Sequence, residues 1–198
     1  MAVVENHQNK SNLSNRNVAI LATNGFEESE LMSPLAALKA AGANVSIVSI
    51  EKSADKIRGW SDGKWSEKTV NVDGTVPNMK AESFDALMLP GGVMNPDMLR
   101  TNTDAVSFVR DFFAAGKPVA AICHAPWLVV EAGAAKGRRM TSYPSIRTDV
   151  MNAGANWVDE SVVTDRGLVT SRSPKDLDDF NAKIVEEFAE GAPAGQHA

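Results

Sequence analysis

Cysteine is nearly absent from this chain. Cys123 is the only one, and histidine occurs three times. A single cysteine excludes an intrachain disulfide, a thiolate zinc cluster and a dithiol redox pair, so a secreted, disulfide-stapled scaffold is excluded too. Charge of one sign never accumulates: the net charge is −5, with no block of like residues. That argues against nucleic acid as the main partner and against a polybasic membrane patch. No apolar run approaches the about 18–20 residues that span a bilayer. The opening stretch MAVVENHQNKSNLSNRN lacks the continuous apolar segment of a secretory signal. The cytoplasm is therefore the expected location. The Asn, Ser and Gln content of that stretch suits a disordered leader over 1–16. Neither G-x-G-x-x-G nor G-K-[ST] follows any strand-like segment, which removes dinucleotide and P-loop chemistry. There is no internal repeat and no linker, so 17–190 reads as one domain with a flexible tail over 191–198.

What is present is a repeated alternation of strand and helix. NVAILAT, NVSIVSI, FDALMLP and KPVAAIC are short apolar runs of the kind buried in a parallel sheet. SELMSPLAALKAAGA and the stretch 103–115 carry apolar residues at helical spacing and end at glycine. NGFEES reads as a loop. KWSEKTVNVDGTV suggests a hairpin excursion, and NWVDESVVTDRGLVTSR reads as two strands joined through Asp165, Arg166 and Gly167. SPKDLDDFNAKIVEEFAE reads as a helix with Ser173 as N-cap and Pro174 in first position. The pattern predicts an α/β fold with a mostly parallel sheet and helices on both faces. Ligands in such folds bind beyond the carboxyl ends of the strands. The loops at Gly25–Glu28, Gly91–Asn95 and Cys123–Ala125 fall at that end. The scattered methionines read as core filler or surface, and no metal constellation stands out. Trp60 and Trp65 in the excursion are candidates for an oligomer interface, whereas Trp127 and Trp157 read as structural.

AAICHAP, residues 120–126, has the sterics of a nucleophile elbow. A strained residue between strand and helix needs small neighbours two positions before and after it. Ala121 and Ala125 meet that need, and Pro126 suits the first helical turn. The helix N-terminus is expected to lower the Cys123 thiol pKa. A buried structural cysteine would give the same lone residue. Of the histidines, His7 lies in the leader and His197 in the tail, so a base must be His124 or a carboxylate. Glu27, Glu28 and Glu30 cluster at the start of a helix, where acids are favoured by the macrodipole alone. One of them, buried beside the sulfur, could stay protonated, and spacing does not choose among them. The Gly91–Gly92 turn can present backbone N–H groups, which with that of His124 would form an oxyanion hole.

Taken together, LATNGFEESEL, FDALMLPGG, GKPVAAICHAPWLVVEAG and TSYPSIRTDVMNAGANWVDE resemble the PfpI family, in the same order along most of the chain. This is the intracellular protease-like branch of the superfamily that includes the parkinsonism-linked deglycase. The resemblance implies a flavodoxin-like sandwich, a homodimer or larger homo-oligomer, and no cofactor or metal. It implies Cys123 as reactive thiol, Glu30 as the acid bonded to it, Glu27 as a second pocket acid, and Gly92 with the His124 amide as oxyanion donors. Tyr143 falls near the pocket. In the protease-like branch an acid from a neighbouring subunit orients the histidine. Asp97 stands in its place here, with a shorter side chain and one extra loop residue. The activities implied are turnover of glyoxal or methylglyoxal, removal of their adducts from proteins, or peptide hydrolysis. A non-enzymatic alternative is a stress-protective redox sensor or holdase acting through oxidation of Cys123.

Overall fold

The structure is a computed structural model and describes residues 12–50 and 55–191. In chain order the strands are β1 (Asn17–Leu21), β2 (Phe26–Glu27), β3 (Asn44–Ser49), β4 (Lys56–Ser61), β5 (Lys64–Asn71) and β6 (Gly74–Thr75). They continue with β7 (Ala86–Leu89), β8 (Val119–Ile122), β9 (Arg139–Met140), β10 (Asn156–Trp157), β11 (Val162–Asp165) and β12 (Leu168–Ser171). The helices are α1 (Glu28–Ala40), α2 (Met94–Arg100), α3 (Thr103–Ala114), α4 (Pro126–Glu131), α5 (Arg147–Asn152) and α6 (Leu177–Glu190).

A seven-stranded sheet in the order β11-β12-β8-β7-β1-β3-β6 forms the centre. All its pairings are parallel except β11 with β12. The short apolar runs become strands buried on both faces, and alternation sends their side chains into two cores. Ala19, Leu21, Leu87, Leu89 and Ala121 face α3, α4 and α5. Val18, Ile20, Met88, Ala120 and Ile122 face α1 and α6. Helix α3 shows why the sequence complies. Asn102 accepts from the Ala105 N–H at 2.9 Å, capping the helix start. Ala105, Phe108, Val109 and Phe112 then lie on one buried face at helical spacing. On the opposite side of the sheet, Phe180, Ile184 and Phe188 of α6 do the same.

Several local expectations change. NGFEES is not a plain loop: Phe26 and Glu27 form β2, which pairs in parallel with Gly59 and Trp60 of β4, and α1 starts at Glu28. The hairpin of the excursion is β4 with β5 rather than one within KWSEKTVNVDGTV, which supplies only the second strand and whose Gly74 and Thr75 join the central sheet beside β3 as β6. It turns on Asp62 and Gly63, both at positive φ, and Trp60 and Trp65 meet edge to face at 5.4 Å. Asn156 and Trp157 leave the predicted strand to pair with β9. The remaining β11–β12 hairpin turns on Arg166 and Gly167 alone, at φ 48 and 76. Ser173 caps nothing with its side chain, because a tight turn over Pro174–Asp176 precedes α6. The expected leader lies outside the described residues as far as residue 11. Beyond that, Leu13 is fully buried and its N–H donates to the Ala41 carbonyl at 2.8 Å, so packed structure starts upstream of Asn17. The expected tail lies outside the described residues from 192 onward. Among the described residues no helix is long and apolar enough to cross a membrane.

Candidate active site at the strand-to-helix elbow

Strand β8 ends at Ile122, and Cys123 takes φ +65, the left-handed region that side chains rarely adopt. Neighbouring backbone holds it there. The Cys123 N–H donates to the Ser171 carbonyl at 3.0 Å, and the Cys123 carbonyl accepts from the Tyr143 N–H at 2.8 Å. Strain of this kind persists only where the surroundings over-determine it. Ala121 and Ala125 on either side are completely buried, as the elbow's need for small neighbours predicts. Pro126 opens α4. The sulfur-bearing residue is only 6% exposed.

Folding separates the three glutamates. Glu28 turns outward to Ser66 and Lys68 of β5, which hold its carboxyl below the usual range. Glu27 is half-buried; its side chain accepts from Ser29 at 3.2 Å, and burial raises its pKa. Glu30 is completely buried in α1 and faces the elbow. Burial pushes its carboxyl up to about 8, against the opposing pull of the Cys123 thiol and the Gly92 and Gly91 amides. Neither Glu30 oxygen completes a hydrogen bond of good geometry, so the protonated carboxyl has donor capacity to spare.

The thiol is not lowered as the helix terminus led one to expect. Burial, and then the charge of Glu30, push the Cys123 pKa above its ordinary value; the Gly92 and His124 amides pull only partly in the other direction. Helix α4 has six residues and begins three positions beyond the sulfur, whereas desolvation acts on the sulfur itself. Burial thus moves both groups the same way, raising the thiol and the Glu30 carboxyl together.

The Gly91–Gly92 turn must be glycine. A methyl on Gly91 would collide with Glu30 Oε2 and lie 2.6 Å from Cys123 Cβ. Gly92 has φ +77, and a methyl there would lie 2.7 Å from the Glu27 nitrogen. The turn is held by Asn95, which sequence reasoning missed. This fully buried side chain accepts from the Thr23 N–H at 2.8 Å and donates to the Pro90 carbonyl at 2.8 Å. It therefore ties the end of β1 to the end of β7. No local signal marks it, since its partners come from two separate strands.

His124 follows the cysteine but turns back onto it. Nδ1 lies 3.1 Å from Cys123 Sγ, and Nε2 lies 3.0 Å from Ser145 Oγ. Burial lowers its pKa, favouring neutral imidazole. Tyr143 stacks on the ring at 4.7 Å between centroids. Asp97 is exposed on α2, and its carboxylate accepts from Arg100 Nε and Nη2 at 3.0 and 2.7 Å. Thus Cys123, His124, Glu30, Gly91, Gly92 and Tyr143 converge on the elbow, Glu27 lies beside it, and Asp97 is engaged elsewhere in its own chain. Trp127 and Trp157 donate through Nε1 to Asp149 and Ser142 and brace the segment around Tyr143.

A mostly parallel sheet with helices on both faces, and a strained cysteine at the carboxyl end of an interior strand, define a flavodoxin-like α/β protein with a cysteine elbow. The chain belongs to the DJ-1/PfpI family, whose model matches residues 16–187. It is similar to "Protein/nucleic acid deglycase 2" of Escherichia coli, with 44% identity over 86% of this chain and 96% of that one. It is 46% identical to a deglycase of Pyrococcus horikoshii, over 81% of this chain and 92% of the relative. Among solved structures, DJ-1beta of Drosophila melanogaster superposes with a TM-score of 0.79 at 27% identity, covering 88% of this chain and 90% of that one.

Proposed function

We propose that the chain is a cysteine-dependent enzyme, free of cofactor and metal, that acts on small α-oxoaldehydes or on the adducts they form with protein amines. The observation that carries this reading is a strained Cys123 whose sulfur is flanked by a buried protonated acid, a neutral imidazole nitrogen at 3.1 Å and a glycine turn. The deglycase names of the two sequence relatives support the same class.

The chemistry follows from the proton positions. His124 Nδ1 takes the thiol proton as the sulfur adds to the aldehyde carbon, and the carbonyl electron pair moves onto oxygen. The Gly92 and His124 amides face that developing charge. For an amine adduct, the carbon–nitrogen bond breaks instead and the leaving amine receives a proton from the imidazolium. Shifting the proton on the sulfur-bearing carbon to the adjacent carbonyl carbon, and the hydroxyl proton from the first oxygen to the second, gives a thioester of a 2-hydroxy acid. Water cleaves that thioester, restoring the thiol. No external oxidant is required, because one carbon is oxidised as its neighbour is reduced. Glu30 supplies or holds the proton beside the sulfur.

Two observations weigh against the alternatives. The buried sulfur suits a small substrate better than an exposed redox sensor. Peptide hydrolysis needs the acid of a second copy at His124, and Asp97 is held by Arg100, although an exposed bridge of this kind is weak. The test is turnover of methylglyoxal by wild type and Cys123→Ser, read as 2-hydroxy acid formed. A parallel reaction follows amine release from a purified adduct with free aldehyde scavenged. Wild-type turnover that vanishes in the variant is expected. Equal turnover in both proteins would overturn the reading.

A further inference from the structure

We infer that Ser145 is the positioning residue for His124 within the single chain, holding the ring with Nε2–H toward its own hydroxyl and a bare Nδ1 toward Cys123. This inference rests on Cys123 as the reacting group, and it gives this chain an orienting partner of its own where the family resemblance suggested an acid from another subunit.

The ring is constrained in every direction. Its plane is set by Tyr143, stacked at 4.7 Å and 23°, and by Trp127, tilted 60° at 5.4 Å. Within that plane both nitrogens are engaged, Nδ1 by the sulfur at 3.1 Å and Nε2 by Ser145 Oγ at 3.0 Å. Ser145 stands in the tight turn Pro144–Ile146, directly after Tyr143. The Tyr143 N–H donates to the Cys123 carbonyl. One short segment therefore contacts the elbow through backbone, ring and hydroxyl.

The tautomer follows from the proton count. The two contacts by themselves fit either tautomer; a base at Nδ1 that takes the thiol proton must be bare, so the imidazole proton is assigned to Nε2. Nε2–H then donates to Ser145 Oγ, whose own proton is free to point to solvent, because the residue is exposed. When Nδ1 takes the thiol proton, Nε2–H keeps its acceptor and the ring does not rotate. A carboxylate at this place would favour the imidazolium at rest. A hydroxyl leaves the ring neutral and able to accept a proton. The charged groups around the ring do not replace this role. Glu30 lies behind the sulfur, while Arg100 and Asp149 engage Trp127.

The experiment is nitrogen-15 NMR of histidine-labelled full-length protein, resolving the two ring nitrogens of His124 in wild type, Ser145→Ala and Ser145→Thr. Kinetics of the same three proteins accompany it. The wild-type ring is expected as the Nε2–H tautomer. Ser145→Ala should give a mixture of tautomers and about a tenfold loss in kcat at nearly constant KM, and Ser145→Thr should restore both. Ser145→Asp should move the His124 titration midpoint up by about 1–3 pH units. An unchanged tautomer and unchanged kcat in Ser145→Ala would overturn the inference. The NMR pattern does not depend on turnover, so a failure of the enzymatic reading in Cys123→Ser is distinguishable from a failure of this one.

Discussion

Glu30 is a fully buried carboxyl set against a sulfur, and that placement gives the protein a pH response. Its pKa is about 8 in the fold against an ordinary 4.5, mainly through burial. Between those values the folded state keeps a proton that the unfolded chain has released, so stability falls as pH rises through that window. Below about 4.5 both states are protonated, and above about 8 the folded carboxylate carries the full penalty. Glu27 and Glu187, also raised by burial, slope the same way, while Glu28, held by Lys68 and Ser66, slopes oppositely. Urea denaturation of Glu30→Gln should therefore show a flatter dependence of stability on pH between about 4.5 and about 8. A slope equal to wild type would mean that Glu30 does not hold its proton. The elbow itself was readable at this scale, because its requirements are local: small residues two positions either side and a proline opening the helix. Spacing did not choose Glu30 over Glu27 and Glu28, since all three lie within four consecutive residues; only the family resemblance singled it out. Only the packing of α1 against the sheet turns one of them inward. The direction of the Cys123 shift departs from the expectation for a related reason: a helix terminus is visible in sequence, and the depth of burial is not.

At the scale of elements, the site depends on how the ends of β1, β7 and β8 are fastened to one another. Asn95 links Thr23 after β1 to Pro90 after β7, and the Glu27 N–H reaches the Gly91 carbonyl at 3.3 Å. Replacing Asn95 by alanine leaves a buried N–H and a buried carbonyl unpaired. That should destabilise the fold by about 1–3 kcal/mol and slow alkylation of Cys123 by releasing the glycine turn. Urea midpoints and iodoacetamide rates measure the two effects. A variant as stable and as reactive as wild type would show that the turn holds itself. Strand and helix identity along most of the chain was legible, because binary pattern, caps and glycine stops act over a few residues. The exceptions are β4 and the seven-residue α2, and β2, β6, β9 and β10, the last four only two residues long. Segments so short have no periodicity to read and exist only through their partners.

At the scale of the molecule, one sheet separates two cores, and the site sits where elements of both meet. Cys123 packs with the core under α1 and α6, while Ala125 and α4 belong to the other. Because the same strands line both cores, neither can open alone, and unfolding is expected to be a single cooperative transition. Trp60 and Trp65 report on the hairpin, and Trp127 and Trp157 on the α4–α5 side. Tryptophan fluorescence and far-ultraviolet circular dichroism should give coincident urea midpoints. Separated midpoints would mean that the hairpin or one helical layer unfolds independently. The sequence by itself determined the β-α alternation, the two-faced sheet, the elbow and the family, since these rest on patterns among near neighbours. Tertiary structure alone decided how the three glutamates are parted around the sulfur, in which direction burial moves the thiol, and which hydroxyl meets His124. Those properties arise between residues distant in the chain and from the exclusion of water, and neither exists until the two cores have closed.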